Sequence, residues 1–380
     1  MKKWKVTLGI FAVLIFSSGY GPVSAQADKQ IQFNYKDIGI SSKQVIAENT
    51  TFVPLKSLAD AMGYTLSWDQ QSKIAKLVRP DREVVITAGT VTSKANGTLM
   101  ALTKSPRIIK GSLYVPLVSA VSVLGGKAGL NKTDGVIQIV DEARLVSASV
   151  DGRSYWISQK NGNLYYRATS AGKPVIIGQL PFNESAYNYT FEIKKLGNNT
   201  DLLQLRDNHY AMFTDFNSSY QVLVKTGTIL KQMNYQYSTT AYPHAPQVPS
   251  TQVYMTDGKN VQYITKDGGL GKLFEMEKLT GATGDFIVEY ASEDVALLRL
   301  LDTTQLYIVY SSTGEIVNLS EQLISSEDRK EWDRVNDGRD PYVLTRMLVM
   351  KSRKGNILTF TYTPILEEKA KTVTYTLQSE

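Results

Sequence analysis

The side chains best suited to metal chemistry are scarce in this sequence. It contains two histidines, His209 and His244, and no cysteine. Tight sites for copper draw on imidazole or thiolate ligands, so a three-histidine centre cannot be assembled from this chain. His209 lies beside a predicted strand, 210–213, and His244 lies between prolines in a predicted loop. The sequence therefore predicts no metal and no cofactor.

A second group of candidate ligands is acidic and clusters near Gly338. Asp333, Asp337 and Asp340 loosely suggest a calcium loop. Their spacing does not fit the EF-hand, in which a twelve-residue loop supplies the ligands. A solvated turn explains these acids better than a calcium site.

Hydrolysis of a sugar polymer would require two carboxylates that flank the glycosidic bond. Asp257, Asp267 and Glu289 are candidates, although nothing in the sequence prefers them over ordinary turn and strand-edge acids. The sequence lacks the Gly-x-Ser-x-Gly elbow, the phosphate loop, the His-Glu-x-x-His helix and the dinucleotide fingerprint. We therefore predict no catalytic residues.

The aromatic content favours binding over catalysis. The chain has 22 Tyr and 4 Trp. Such side chains stack on sugar rings or anchor protein partners, and they also fill hydrophobic cores. This content predicts a binding surface for a polysaccharide or a protein, with most of the rings in the core.

The elements that must position these residues are easiest to read near the N-terminus, where a segment occurs twice. Residues 44–78 match residues 106–140 without a gap, and the numbering difference between Pro54 and Pro116 is 62. A match of this length indicates a duplicated supersecondary unit.

Each copy predicts a strand, a helix, a second strand, a turn and a third strand. Pro54 suits the first helical position, and Gly63 suits a left-handed residue that ends the helix. Four apolar residues with helical spacing form a stripe in each copy, which predicts that both helices share one core. The stripes are Leu55, Leu58, Ala59 and Met62 in the first copy, and Leu117, Ala120, Val121 and Leu124 in the second.

These residues resemble the copper amine oxidase N-terminal-like domain, or stalk domain, of secreted bacterial proteins. The resemblance rests on the two Val-Pro-Leu helix starts, on Gly63 and Gly125, on Trp68-Asp69 with Ser72-Lys73, and on the turn at Asn96-Gly97. It implies an α+β fold for residues 26–142, with two helices on antiparallel sheet, and a non-catalytic role. The second copy has Leu130-Asn131 in place of Trp68-Asp69.

The first 25 residues predict export. Lys2, Lys3 and Lys5 precede an apolar run at 6–16, and a small-residue cleavage site ends at Ala25. Cleavage after Ala25 would leave no membrane span. It would also lower the formal net charge from +6 to about +3, because the removed segment carries three lysines and no acids. Without a basic cluster interleaved with aromatic residues, nucleic-acid binding is not expected.

Residues 143–380 read as short strands joined by tight turns. Asp151-Gly152 and Asn161-Gly162 are hairpin signals between alternating apolar residues, and the pattern returns about every 45 residues. Two architectures fit: an irregular β-propeller of about five blades, which we prefer, and stacked β-sandwiches. We predict a long loop at 235–250 and a short surface helix within 320–339, capped by Ser325 or Ser326.

Three functions from different classes follow. The preferred one is a non-catalytic, envelope-associated binding or scaffold protein, secreted or attached to the cell wall, whose partner is a cell-wall polysaccharide or an envelope protein. The second is a secreted carbohydrate-active hydrolase, and the third is a regulatory or stress protein that senses an envelope ligand.

Overall fold

The computed structural model describes residues 30–34, 36–37, 44–181, 189–197, 199–211, 214–239, 248–335, 343 and 345–378. The chain divides into two compact units. The first contains Ser67–Lys76, Glu83–Asp141 and the described residues up to Ala61. The second contains Met62–Leu66, Leu77–Arg82 and the described residues from Glu142 onward.

In its described residues, the N-terminal part of the chain combines short strands with two helices, as the repeat predicted. In chain order its elements are β1 (Ile31–Phe33), β2 (Lys36–Asp37), β3 (Val45–Ala47), β4 (Thr50–Pro54), α1 (Leu55–Ala61), β5 (Thr65–Asp69), β6 (Ile74–Arg79), β7 (Arg82–Thr87), β8 (Thr92–Ala95), β9 (Thr98–Ala101), β10 (Arg107–Ile109), β11 (Ser112–Pro116), α2 (Leu117–Val123), β12 (Lys127–Leu130) and β13 (Ile137–Val140).

These strands form three sheets, with the orders β12-β13-β1-β2, β10-β11-β4-β3 and β5-β6-β7-β8-β9. The pairing of β1 with β13 is parallel, whereas β11 runs antiparallel to β4. Both helices pack against β4 and β11. The two copies of the repeat therefore share one sheet, in agreement with the expected common core.

The predicted apolar stripes are buried in both copies. All eight side chains are at most 1% exposed, and Gly63 and Gly125 have positive φ angles of 66° and 87°. The prolines lie one position earlier than predicted. Pro54 ends β4, and Pro116 is the extended residue before α2, with φ −66° and ψ 114°. The reason is that both prolines lie in the ladder between β4 and β11, which holds them extended.

The turn between the last two strands of each copy is stabilised by the same type of side-chain hydrogen bond to the backbone. The side-chain carboxylate of Asp69 accepts a hydrogen bond from the N–H of Gln71 at 2.9 Å. At the equivalent position, the amide oxygen of Asn131 accepts one from the N–H of Thr133 at 3.1 Å. Asp and Asn side chains both support this turn, so the departure at Asn131 preserves the local structure.

Where the structure describes it, the rest of the chain is built mainly of strands, together with short helices. Its elements are β14 (Leu145–Val150), β15 (Arg153–Ser158), β16 (Asn163–Arg167), β17 (Val175–Gln179), β18 (Tyr189–Lys195), β19 (Thr200–Ala211), β20 (Thr214–Lys225), β21 (Thr228–Thr239), β22 (Val253–Thr256), β23 (Asn260–Ile264), β24 (Leu270–Glu275), α3 (Met276–Thr280), β25 (Phe286–Ala291), β26 (Val295–Leu300), β27 (Leu306–Tyr310), β28 (Ile316–Asn318), α4 (Leu319–Leu323), α5 (Ser326–Val335), β29 (Val349–Lys354), β30 (Ile357–Tyr362) and β31 (Lys371–Thr376).

The strands from β14 onward form five successive antiparallel sheets, β14–β17, β18–β21, β22–β24, β25–β28 and β29–β31. We call them sheets I to V. A shared apolar cluster joins each sheet to the next one along the chain. Alternate residues of one strand pack against different neighbouring sheets. In β26, Ala296 and Leu298 pack with sheet III, whereas Val295 and Leu297 pack with sheet V.

Polar contacts also link neighbouring sheets. A buried one joins sheets I and II, where the Arg153 guanidinium donates to both carboxylate oxygens of Asp201, at 2.7 and 2.9 Å. The Tyr155 hydroxyl donates to the same carboxylate at 2.7 Å. The other links run from the N–H of Thr256 to the Gln221 side chain (2.7 Å), from Lys272 to the carbonyl of Ser311 (2.6 Å), and from Arg353 to Asp294 (2.9 Å).

Gly63 is packed closely within the second unit. A Cβ atom at this position would lie 2.2 Å from the carbonyl oxygen of Leu145. The indole N–H of Trp156 donates to the carbonyl of Gly63 at 2.9 Å, and Trp156 is fully buried. The glycine that ends α1 is therefore required both by its backbone angle and by its neighbours.

Two local predictions had different outcomes. The predicted helix is present as α5, and the Ser325 hydroxyl accepts a hydrogen bond from the N–H of Asp328 at 3.2 Å, which confirms the cap. The prediction that a loop begins at residue 235 was wrong. β21 continues to Thr239, and Tyr235 is buried. Pairing with β20 extends the strand beyond the point at which its composition becomes loop-like.

Candidate functional site

Sheet II differs from the other sheets from β14 onward in the length of its strands. β19, β20 and β21 each have twelve residues, whereas none of the strands of the other four sheets exceeds six within the described ranges. Successive side chains of a strand point to opposite faces. In β19, Leu203 and Leu205 pack toward sheet I. Gln204, Arg206 and Asn208 alternate with them and so lie on the other face.

The strand register arranges this second face in rows. Gln204 lies opposite Gln221, Arg206 opposite Ser219, and Asn208 opposite Asn217. The next strand adds Tyr235 beside Ser219, and Tyr237 beside Asn217. The outcome is a polar face bordered by two tyrosines. We call it the polar face of sheet II.

A cavity of about 510 Å³ lies over this face. The first strand of sheet III and the first strand of sheet IV supply the opposing wall, with Tyr254, Thr256, Ile287 and Val288 among the lining residues. Toward the other end of the long strands, the face becomes apolar and packs against sheet III. That contact is made by Leu202, Leu223, Met233, Met255 and Ile264.

Tyr235 and Tyr237 form the aromatic part of the cavity. Their rings are stacked, with centroids 4.6 Å apart and planes inclined by 23°. The ring of Tyr235 packs directly against Gly258, where a Cβ atom would lie 2.2 Å from the ring. Its hydroxyl is buried without a hydrogen-bond partner among the described residues. Burial raises the pKa of both phenols, so they are neutral donors at physiological pH.

The remaining polar groups of the cavity are mostly amides and hydroxyls. Asn208 donates to the side-chain oxygen of Asn217 at 2.6 Å. The side-chain oxygen of Gln221 accepts a hydrogen bond from the N–H of Thr256. Amides offer both donors and acceptors, and a stacked tyrosine offers an apolar ring face. The arrangement can bind a polar, ring-containing molecule.

The acids proposed as hydrolytic residues are not brought together. Asp257 holds the turn before β23, where it accepts from the N–H of Asn260 at 2.7 Å. Asp267 lies in the turn after the same five-residue strand. At about 3.3 Å per residue the two carboxylates are roughly 17 Å or more apart, beyond the separation of about 9.5 Å found in inverting glycosidases.

Glu289 has a structural role. The Arg299 guanidinium donates to both of its carboxylate oxygens and also to the carbonyls of Thr304 and Leu348. Arg299 is fully buried and Glu289 nearly so. A carboxylate held in this way by a buried cation is not available for proton transfer to a ligand.

The metal candidates lie largely outside the described ranges, among them His244, Asp337 and Asp340. The backbone of His209 lies in β19 opposite Phe216, and Asp333 lies in α5. Within the ranges that the structure covers, no three His, Asp or Glu side chains are grouped as metal ligands.

Comparison with known proteins identifies the N-terminal part of the chain. Residues 32–139 match the family model of the copper amine oxidase N-terminal domain. This agrees with the duplicated β-α-β-β unit and its buried helices, and the family suggests a non-catalytic, stalk-like domain. The copper amine oxidase N-terminal domain accounts for under a third of the chain, so the match does not extend to the sheets I to V.

One curated relative is a protein named "Protease inhibitor" from Brevibacillus choshinensis. It is 26% identical over 141 residues, which are 36% of this chain and 41% of the relative. The match thus spans less than half of the relative's length.

Among solved structures, three likenesses have low TM-scores. A nidogen/laminin complex has 10% identity and a TM-score of 0.19, covering 72% of this chain and 87% of that chain. An acylaminoacyl peptidase of Pyrococcus horikoshii has 10% identity and a TM-score of 0.23, covering 82% and 42%. Apo AztD from Citrobacter koseri has 9% identity and a TM-score of 0.19, covering 67% and 85%.

Sequence reasoning did not find the cavity, although a signal was present. Gln204 and Arg206 alternate with Leu203 and Leu205 in β19, and Ser219 and Gln221 alternate with Tyr220 and Val222 in β20. Such a pattern predicts one buried and one polar face. The sequence does not reveal that other strands lie over the polar face and enclose a cavity.

Proposed function

We propose that this protein is an exported, cell-envelope-associated binding protein that holds a polyhydroxylated ligand, such as an oligosaccharide of the cell wall, on the polar face of sheet II. The observation that carries the proposal is the cavity of about 510 Å³, with amides, hydroxyls and two stacked tyrosines in its walls. Small-molecule sites commonly have volumes of about 300–1,000 Å³.

The chemistry of the walls favours sugars. Sugar hydroxyls donate and accept hydrogen bonds, and Gln204, Asn208 and Asn217 can do the same. Sugar rings also have apolar faces that pack against aromatic rings, which Tyr237 supplies. Tyr235 lines the same cavity, and its ring is stacked on that of Tyr237.

The proposed role is binding without turnover. Most glycoside hydrolases place two carboxylates across the scissile bond, about 5–9.5 Å apart. Asp207 is the one carboxylate among the described residues that line the cavity. A single acid is insufficient for the usual retaining or inverting mechanism.

The proposal includes an architecture for the residues from β14 onward, namely an irregular β-propeller with sheets I to V as its blades. Five successive antiparallel sheets support it, each packed face to face with the next one along the chain.

The proposal also includes the location. The basic start, the apolar run and the small residues before residue 26 support export. None of the helices in the described ranges has the length and apolar character needed to span a bilayer. Export is tested by N-terminal sequencing of secreted protein, which is expected to begin at Gln26; secreted material that begins at Met1 contradicts it.

Binding is tested by passing the secreted protein over immobilised cell-wall polysaccharide and analysing both retention and soluble products. We expect saturable retention without products. Tyr237→Ala should weaken retention about five- to tenfold, as expected for the loss of a stacking ring. Tyr165→Ala is the matched control, because Tyr165 is also half-buried and lies outside the cavity.

Three results would contradict the proposal: released oligosaccharides, no retention, or equal losses in the two variants. The name of the Brevibacillus relative supplies a further comparison. Stoichiometric inhibition of a protease by protein that does not bind polysaccharide would replace glycan binding as the function.

A further inference from the structure

The polar face of sheet II has a cation at its centre. Arg206 lies on β19, opposite Thr190 on one side and Ser219 on the other. Its side chain is exposed and lines the cavity. Among the described residues it forms neither an ion pair nor a hydrogen bond. Two buried arginines of sheets I and IV, Arg153 and Arg299, are instead each paired with a carboxylate.

From this arrangement we infer that the cavity selects anionic sugars, with the Arg206 guanidinium receiving the carboxylate or phosphate of the ligand. The inference rests on the proposed function and specifies the ligand class of the same site. A guanidinium binds either oxyanion through two parallel N–H donors, which gives both energy and orientation.

The charge of the cavity walls agrees with this assignment. Lys194 is a second cation in the lining. Asp207 also borders the cavity, but it follows Arg206 directly and falls in the alternating register of Leu203 and Leu205, and it is buried. The described residues that face them, such as Tyr254 and Ile287, carry no acid. Among the described residues, two cations and one acid therefore line the cavity, which leaves a positive balance for an anion that enters.

Arg206 acts on its neighbours inside the cavity. Its charge lowers the pKa of Tyr237 and Tyr254, in opposition to the larger effect of burial, which raises both. The guanidinium and both phenols line the same cavity, so one ligand can present an anionic group to Arg206 and a sugar ring to a tyrosine. Gln204 and Asn208, which precede and follow Arg206 on the same face, can then hydrogen-bond the hydroxyls.

One acid on this face provides an internal control. Glu192 lies opposite Gln204 on β18, is exposed, and forms no ion pair with a described residue. It is the diagonal neighbour of Arg206 in the ladder. Because like charges repel, Glu192 should oppose the binding of an anionic ligand and have little effect on a neutral one.

The test is titration calorimetry of the mature protein with an oligogalacturonate and with its methyl ester, which has the same sugar without the charge. We expect the acid to bind at least about tenfold more tightly than the ester, as for a charged hydrogen-bonded pair. Arg206→Gln should remove this difference, because it weakens binding of the acid much more than binding of the ester. Glu192→Gln should strengthen binding of the acid about two- to threefold and leave binding of the ester unchanged.

The outcomes separate the two proposals. If wild-type protein binds the acid and the ester equally, or if Arg206→Gln weakens both equally, anion selection is wrong and glycan binding stands. If neither oligosaccharide binds, the same titrations with polyglycerol phosphate show whether the cavity binds a phosphate-containing polymer instead. Binding that depends on Arg206 identifies phosphate as the anion, and no binding refutes both proposals. Thermal unfolding of each variant verifies its fold, and the gain expected in Glu192→Gln cannot arise from misfolding.

Discussion

Val53 and Val115 face each other as direct partners in the antiparallel pairing of β4 with β11, and both are fully buried. They are also equivalent residues of the two repeats. On either side, Phe52 pairs with Pro116 and Pro54 with Tyr114, and these pairs are also related by the repeat. The two copies are therefore related by an approximate two-fold axis through the pair of valines.

The first prediction concerns this pair. Val53→Ala and Val115→Ala should each lower the free energy of unfolding by roughly 1–3 kcal/mol, because each leaves a cavity in the shared core. As direct neighbours they should be coupled, so the double variant should depart from additivity by about 0.5 kcal/mol or more. Urea denaturation of the four proteins measures this. Strict additivity would mean that the two copies do not share a core at this point.

The second prediction compares two valines of one helix. Val121 is fully buried, whereas Val118 is 49% exposed. Val121→Ala should cost roughly 1–3 kcal/mol and Val118→Ala less than about 0.5 kcal/mol. Leu58→Ala, at a fully buried position of α1, should cost roughly 2–4 kcal/mol. Equal losses for the two valines would contradict the assignment of the buried face of α2.

The third prediction separates backbone strain from packing at a glycine. Gly97 has a positive φ of 82° and open space around its Cβ position, so Gly97→Ala should cost about 1 kcal/mol. Gly63→Ala adds a collision with the backbone of Leu145 to the same strain and should cost at least about 3 kcal/mol. Similar midpoints of denaturation for the two variants would exclude the close contact at Gly63.

The fourth prediction is a dependence of stability on pH. Hydrogen bonds from Arg353 lower the pKa of Asp294 to about 2, compared with about 3.9 in an unfolded chain. The contact therefore stabilises the fold fully above about pH 4, and this contribution is lost as the pH falls toward 2. The carboxylate is 45% exposed, so the contribution should be roughly 1 kcal/mol or less.

Asp294→Asn should flatten the fall in stability between about pH 4 and 2, measured by urea denaturation at several pH values. Glu293→Gln, which changes an 87% exposed carboxylate, is the control and should leave the profile unchanged. A profile that is identical in Asp294→Asn and wild type would show that Asp294 does not contribute to the pH dependence of stability.

The fifth prediction concerns copper. The purified mature protein should neither require copper nor oxidise amines, because two histidines and no cysteine cannot supply the ligands of a tight copper centre. Metal analysis of untagged protein and a peroxide-release assay with simple amines measure this. Stoichiometric copper that survives mild chelation, or amine-dependent peroxide that is lost in His209→Ala, would contradict it.

Features that depend on neighbouring residues could be predicted from the sequence. The stripes of α1 and α2 follow from helical spacing, and the cap at Ser325 follows from the preference of hydroxyl side chains for helix starts. The turn at Asn131 follows from the ability of Asp and Asn to bond their own backbone. These features are settled within a few residues, and the structure confirms them.

Features that depend on distant partners were decided by the tertiary structure. The tyrosine-rich stretch at Tyr235 resembles a loop by composition, yet pairing with β20 makes it a strand and places its rings in a cavity. Asp257 and Asp267 are ten residues apart in the sequence, and a strand between them separates their carboxylates. By periodicity alone the sequence specified which residues of β19 share a face. Whether that face meets solvent, an apolar sheet or a ligand cavity depends on strands 50 to 80 residues away, because burial is a property of the whole packed chain.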